Sequence, residues 1–174
     1  MPKLSDAPFI TKRQLDLRLG RLAAEISAST EVDIVVCVLG GAFMFTADLV
    51  RKLHRDDLEV GFVRASSYGN STQSSGKPIC RGLEHIRVKG KNVLLVDDVL
   101  DTGCTLKTLR EGLIVAGART VRTCVLLDKA MHHHSNIAAD FVGFHIESKF
   151  VVGYGLDFAG HYRSLPEIWT LEEP

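Results

Sequence analysis

The sequence predicts an α/β fold, a mostly parallel central sheet flanked by helices. Three observations carry that expectation. Continuous β-branched apolar runs recur along the chain. Segments with a helical apolar period lie between them, and glycine-containing breaks separate the two kinds.

Taken in order, Thr11 and Gln14 form a capping-box pattern, with Leu15, Leu19, Leu22 and Ile26 behind it at helical spacing. A first helix is expected over about residues 12–28. DIVVCV (33–38) has the pattern of a strand buried on both faces, Leu39-Gly40-Gly41 breaks it, and AFMFTADLVRKL reads as a helix. LEVGFVRAS is a further strand. SSYGNSTQSSGKP (66–78) has no apolar period and reads as a long mobile loop, of a length more often functional than accidental. A strand is expected around 80–86, and another at KNVLLV. Leu106, Leu109, Leu113 and Ala116 then lie at helical spacing, with Gly117 placed to end the helix. VRTCVLL (121–127) and FVGFHI (141–146) complete the strands.

At 174 residues with no internal repeat and no linker, the chain reads as one domain spanning 1–174. Lysine plus arginine equals aspartate plus glutamate at 21 each, which argues against a general nucleic-acid or membrane-surface binder. Cys37, Cys80, Cys104 and Cys124 are scattered and form no CxxC pair, so a reduced, cytoplasmic protein without disulfides or structural zinc is expected. The N-terminal MPKLSDAPFI carries no signal-peptide core, and no stretch has the apolar length of a membrane span.

Chemistry concentrates in VLLVDDVLDTGCT (93–105), where four apolar residues run into Asp97 and Asp98. Open parallel sheets bind ligands at the carboxyl ends of their strands. The turn Thr102-Gly103-Cys104-Thr105 leads into a helix whose N-terminal N–H groups suit a phosphate, and Gly103 lets the backbone approach it closely. Carboxylates beside a phosphate repel it unless they hold a divalent cation or accept from sugar hydroxyls. The combination therefore fits a phosphorylated sugar carrying Mg²⁺. Two helix-capping aspartates on a structural loop are the plainer alternative. Neither GxxxxGK[ST] nor GxGxxG occurs.

The stretch resembles the phosphoribosyl-pyrophosphate loop of the type I phosphoribosyltransferases. VCVLGGAFMFTADLVRKL, SSYGNST, VLLDKA and FVGFHIESKFVVGYGLDFAGHYRSLPEIWTL resemble, in order, hypoxanthine-guanine phosphoribosyltransferases. The KFVVGYGLD block discriminates most, because pyrimidine, adenine and pyrophosphokinase relatives lack it. The resemblance implies the type I fold, with a small hood from the termini and a flexible loop. It also implies transfer of phosphoribosyl from 5-phosphoribosyl 1-pyrophosphate to a 6-oxopurine, with Mg²⁺, by a homodimer or homotetramer.

By the same resemblance, Asp97 and Asp98 would bind the ribose 2′- and 3′-hydroxyls directly or through Mg²⁺. Asp101 would be the general acid/base facing purine N7, and Asp101, Thr102, Gly103, Cys104 and Thr105 would wrap the 5′-phosphate. Lys129 would donate to the purine O6, Phe150 would stack on the ring, and the Val151 backbone would bond its edge. Asp157 would ligate a second Mg²⁺ and Arg163 would bind pyrophosphate. Gly40 and Gly41 would form the pyrophosphate loop, and the loop around Ser67 and Tyr68 would close over the site. Taken singly, Lys129 reads as a solvated lysine, Phe150 as core and Arg163 as surface; the ordered set of blocks is what gives them tasks.

One departure concerns Gly40, where many relatives carry a basic residue. If that position works through its backbone N–H, often beside a non-proline cis peptide, Gly40-Gly41 still serves; if the side-chain charge matters, pyrophosphate binding is weaker. His132-His133-His134 reads as a polar loop rather than a metal site, and nothing in the sequence supports a catalytic role for Cys104, although a thiol near a helix N-terminus is prone to ionise. Two other readings stand beside purine salvage: an RNA-binding, nucleotide-sensing regulator on the same fold, and an enzyme preferring xanthine and guanine.

Overall fold

The computed structural model describes residues 2–66, 79–129 and 138–172. Helix α1 (Lys12–Ser29) begins at the expected capping box. The Thr11 hydroxyl accepts from the Gln14 N–H at 3.3 Å, and the Gln14 side chain accepts from the Thr11 N–H at 2.8 Å. Strand β1 (Ile34–Leu39) is buried on both faces, as its unbroken apolar run requires. It is followed by α2 (Phe43–Leu53), β2 (Glu59–Ser66), β3 (Ile79–Arg81) and β4 (Asn92–Leu100). Helix α3 (Cys104–Val115), β5 (Thr120–Asp128), β6 (Phe141–His145) and the two-residue strands β7 (Val151–Val152) and β8 (Trp169–Thr170) follow.

The main sheet has the order β3-β2-β1-β4-β5-β6, parallel throughout except for β3, which pairs antiparallel with β2. Two apolar layers cover its faces. On one, Leu15, Leu19, Leu22 and Ile26 of α1 and Phe45 and Leu49 of α2 meet Val35, Leu94 and Val96. On the other, Leu106, Leu109 and Leu113 of α3 meet Val36, Val93, Leu95 and Val125. Period-2 alternation thus sends successive residues of one strand into different layers.

Two expectations need correction. The strand foreseen at 80–86 ends at Arg81; Gly82 turns the chain and residues 83–85 form a 3-10 turn. Strand β4 does not stop at Val96 but runs through the acids to Leu100, because Val99 and Leu100 still pair with Leu127 and Asp128 of β5. The end of α3 is as expected: Gly117 N–H donates to Ile114 O at 2.9 Å and Ala118 N–H to Leu113 O at 3.1 Å.

The hood consists of both end segments. Val151 and Val152 of β7 pair with Thr170 and Trp169 of β8, and bridges join Leu4 to Leu171 and Ile10 to Ile168. Ile10, Val151, Tyr154, Leu156 and Ile168 extend the α1–α2 layer, so the hood rests on the body through apolar contact. Among the described residues, no helix is long and apolar enough to cross a membrane.

Candidate active site

A cleft of about 380 Å³ opens at the carboxyl ends of β1 and β4. Gly40, Gly41, Asp97, Asp98, Asp101, Thr102, Gly103 and Thr105 line it, together with Val99 and Leu100. Most residues that the sequence assigns to the phosphoribosyl group are therefore brought to one wall. Gly103 turns the chain into α3 with φ at +79°, a conformation suited to glycine, and the Thr102 hydroxyl accepts from the Cys104 N–H at 3.4 Å. The first-turn N–H groups of α3 and the Thr102 and Thr105 hydroxyls provide the donors for a phosphate.

Asp97 is buried, and Asp98 lies half-buried beside it. The Asp97 carboxylate accepts from the Asp98 N–H at 2.9 Å and the Asp98 carboxylate from the Val99 N–H at 2.8 Å. Burial, and then the neighbouring Asp98 charge, push Asp97 well above the usual carboxylate range. Burial raises Asp98 as well, against the opposing effects of its hydrogen bonds with Asp97 and Val99 and of the Arg163 charge. A buried and a half-buried carboxylate whose ionised forms are disfavoured fit a hard divalent cation, which would supply the missing charge. Among the described residues no three His, Cys, Asp or Glu side chains converge as a metal cage.

The Leu39–Gly40 peptide is cis. The next residue, Gly41, is required by space: a Cβ there would stand 1.5 Å from Asp98 Oδ2. Above this loop, Arg163 Nη2 lies 2.7 Å from Asp157 Oδ1, and its Nη1 donates to Gly155 O at 2.6 Å. The second Asp157 oxygen accepts from the Gly160 N–H at 2.7 Å. A Cβ on Gly40 would come 3.4 Å from Arg163 Nη2, so the guanidinium lies directly against the pyrophosphate loop.

Lys129 follows β5. Its N–H donates to Leu100 O at 2.9 Å, its side chain is largely buried, and Nζ lies 4.0 Å from Asp101 Oδ2. Phe150 is 54% exposed, an open aromatic face, and meets Phe158 edge-on with centroids 5.7 Å apart. Val151 is buried in β7, which leaves its backbone as the polar part. Phe150, Val151, Asp157, Arg163 and Lys129 stand outside the phosphate cleft itself, and Cys104 does not line it. Ser67, Tyr68 and His132-His133-His134 lie outside the described residues. Sequence reasoning missed Gly155, whose carbonyl anchors Arg163; a backbone acceptor leaves no mark in residue type.

The phosphoribosyl transferase domain family matches residues 11–159. A hypoxanthine-guanine phosphoribosyltransferase from Aquifex aeolicus is 42% identical over 169 residues, 95% of this chain and 94% of that protein. The chain belongs to the hypoxanthine-guanine phosphoribosyltransferase family. A Bacillus subtilis member is 40% identical over 168 residues, covering 94% of this chain and 92% of its own. Among solved family structures, a Bacillus anthracis hypoxanthine-guanine phosphoribosyltransferase superposes with TM-score 0.86 at 35% identity, over 98% of this chain and 100% of that one. A Trypanosoma cruzi hypoxanthine phosphoribosyl transferase gives TM-score 0.88 at 31% identity, over 99% and 94%. The family fold is thus present along nearly the whole chain.

Proposed function

We propose that the protein is a purine-salvage transferase that moves phosphoribosyl from 5-phosphoribosyl 1-pyrophosphate to hypoxanthine or guanine. The products are the nucleoside monophosphate and pyrophosphate. The observation that carries the reading is the pairing of a phosphate turn at the start of α3 with Asp101, whose carboxylate stands 4.0 Å from Lys129 Nζ at the same strand ends. A phosphate cradle, an acid/base group and an O6 donor are what a 6-oxopurine phosphoribosyltransferase needs side by side.

In this reading the α3 N–H groups and the Thr102 and Thr105 hydroxyls hold the 5′-phosphate. Asp97 and Asp98 accept from the ribose hydroxyls or hold Mg²⁺, and Asp157 serves a second Mg²⁺. When bound, Mg²⁺ supplies positive charge opposite the departing pyrophosphate. Arg163 and the N–H groups of Gly40 and Gly41 bind that pyrophosphate. The C1′–pyrophosphate bond breaks as the purine nitrogen bonds to C1′, and charge on C1′ is greatest between the two events. Asp101 manages the proton at N7, Lys129 donates to O6, Phe150 stacks on the ring and the Val151 backbone bonds its edge.

The chain acts as one domain over residues 1–174 and assembles as a homodimer or homotetramer in the cytoplasm. Exposed Val60 and Phe62 on β2 support assembly. A spectrophotometric assay with phosphoribosyl pyrophosphate, Mg²⁺ and each of hypoxanthine, guanine, xanthine and adenine tests the reaction. Turnover of hypoxanthine or guanine but not adenine is expected; no turnover of any 6-oxopurine overturns the proposal.

A further inference from the structure

Asp128 and His145 belong to none of the site residues above, yet they form a built pair at the strand ends that carry Lys129. Asp128 is 6% exposed, a carboxylate among the apolar ends of β4, β5 and β6. It is in register with Leu100 on one side and with His145 on the other. His145 Nδ1 lies 3.1 Å from Asp128 Oδ2, and the Ile146 N–H donates to Asp128 O at 2.9 Å. With its proton on Nδ1, the ring donates to that carboxylate oxygen.

Lys129 is the next residue. Beyond Asp128 the chain leaves the sheet, and the Lys129 N–H, bonded to Leu100 O, is its last described tie to β4. The Lys129 side chain runs back under cover to within 4.0 Å of Asp101. The direction of that side chain therefore depends on where β5 ends, and the end of β5 is held to β6 through Asp128. A buried carboxylate tolerates few positions, because away from its donors it is left desolvated and uncompensated.

We propose that Asp128 and His145 are positioning residues for the purine subsite, acting through Lys129 on capture of the base. The proposal rests on the reading of Lys129 as the donor to the purine O6. His145 is the better place to probe it, because its side chain is 72% exposed and truncation there opens no cavity. His145→Ala and His145→Asn are compared with the unmodified protein by steady-state kinetics and thermal melting. Asparagine carries an N–H donor near the position of Nδ1. His145→Ala is expected to raise KM for hypoxanthine or guanine about fivefold, the effect of losing one pair with an exposed partner. KM for phosphoribosyl pyrophosphate and the melting temperature should stay unchanged, and His145→Asn should restore the base KM.

An unchanged base KM in His145→Ala overturns the proposal. So does a lowered melting temperature with both KM values altered alike, which marks a purely structural pair. If the unmodified protein turns over no 6-oxopurine, the functional reading fails instead, before any variant is compared.

Discussion

Arg163 and Asp157 are partners across the hood: Nη2 and Oδ1 stand 2.7 Å apart, and Gly155 O holds the other arm of the guanidinium at 2.6 Å. Two groups assigned to opposite charges of one substrate therefore neutralise each other. If Arg163 binds pyrophosphate as proposed, it would have to be drawn off Asp157, and the same exchange would free Asp157 for a cation. The guanidinium also lies against Gly40, 3.4 Å from where a Cβ would stand. Arg163 thus places a cation in direct contact with this loop.

Arg163→Gln should accordingly raise KM for phosphoribosyl pyrophosphate by roughly tenfold to a hundredfold, as expected for loss of charge-assisted hydrogen bonds to phosphate. KM for the purine should change by no more than about twofold, since the proposal assigns the base to other groups. Initial-rate measurements with each substrate varied in turn decide it. An unchanged KM for phosphoribosyl pyrophosphate removes Arg163 from the binding of that substrate.

The two loop glycines should respond differently to one added methyl group. At Gly40 the new carbon meets the movable end of Arg163 at 3.4 Å, so Gly40→Ala is expected to keep near-normal stability and substrate affinity. At Gly41 it would stand 1.5 Å from Asp98 Oδ2 and must displace that carboxylate. Gly41→Ala should weaken binding of phosphoribosyl pyrophosphate by about 2 kcal/mol, near thirtyfold. Calorimetric titration of both variants is the check, and equal affinities refute the packing argument.

Asp101 carries the proton assignment. Asp101→Asn keeps the size of the side chain and removes its basicity, so kcat should fall by about a hundredfold or more while both KM values change little. Asp101 is exposed and makes no described contact closer than the 4.0 Å to Lys129, so the fold has little to lose. Rapid-quench or steady-state rates test this; a kcat equal to that of the unmodified protein excludes Asp101 from proton transfer.

What could be read from the sequence follows from distance along the chain. Asp97, Asp98, Asp101 and Thr102–Thr105 lie in one stretch, and the strand–turn–helix pattern places them together without tertiary knowledge. The central strands β1 and β4 were legible for a similar reason, because burial on both faces leaves unbroken apolar runs. Strand β3 was misjudged because Gly82 adopts φ +98° after only three paired residues, and the apolar residues beyond it pack as a 3-10 turn. The hood strands are two residues long and carry no period at all. The Arg163–Gly40 contact joins segments distant in sequence, while the Arg163–Gly155 and Asp128–His145 pairs run through a backbone carbonyl or residues that look ordinary in isolation.

A last prediction concerns stability rather than catalysis. Asp140, just before β6, receives hydrogen bonds from Arg122 Nη1 at 2.7 Å and from the Thr123 N–H and hydroxyl at 2.8 Å each. Burial raises its pKa, but these donors together outweigh burial and hold it below the ordinary value of 3.8. In the window between the two values the unfolded chain binds more protons than the native one. The stabilising contribution is therefore complete above the unfolded value and is lost as pH falls through the folded value. Asp140→Asn should cost about 1–3 kcal/mol at pH 7. Urea unfolding at a series of pH values should show that difference shrinking only on the acid side of 3.8. A difference that stays constant down to acid pH would mean that the carboxylate charge is not what ties β5 to β6.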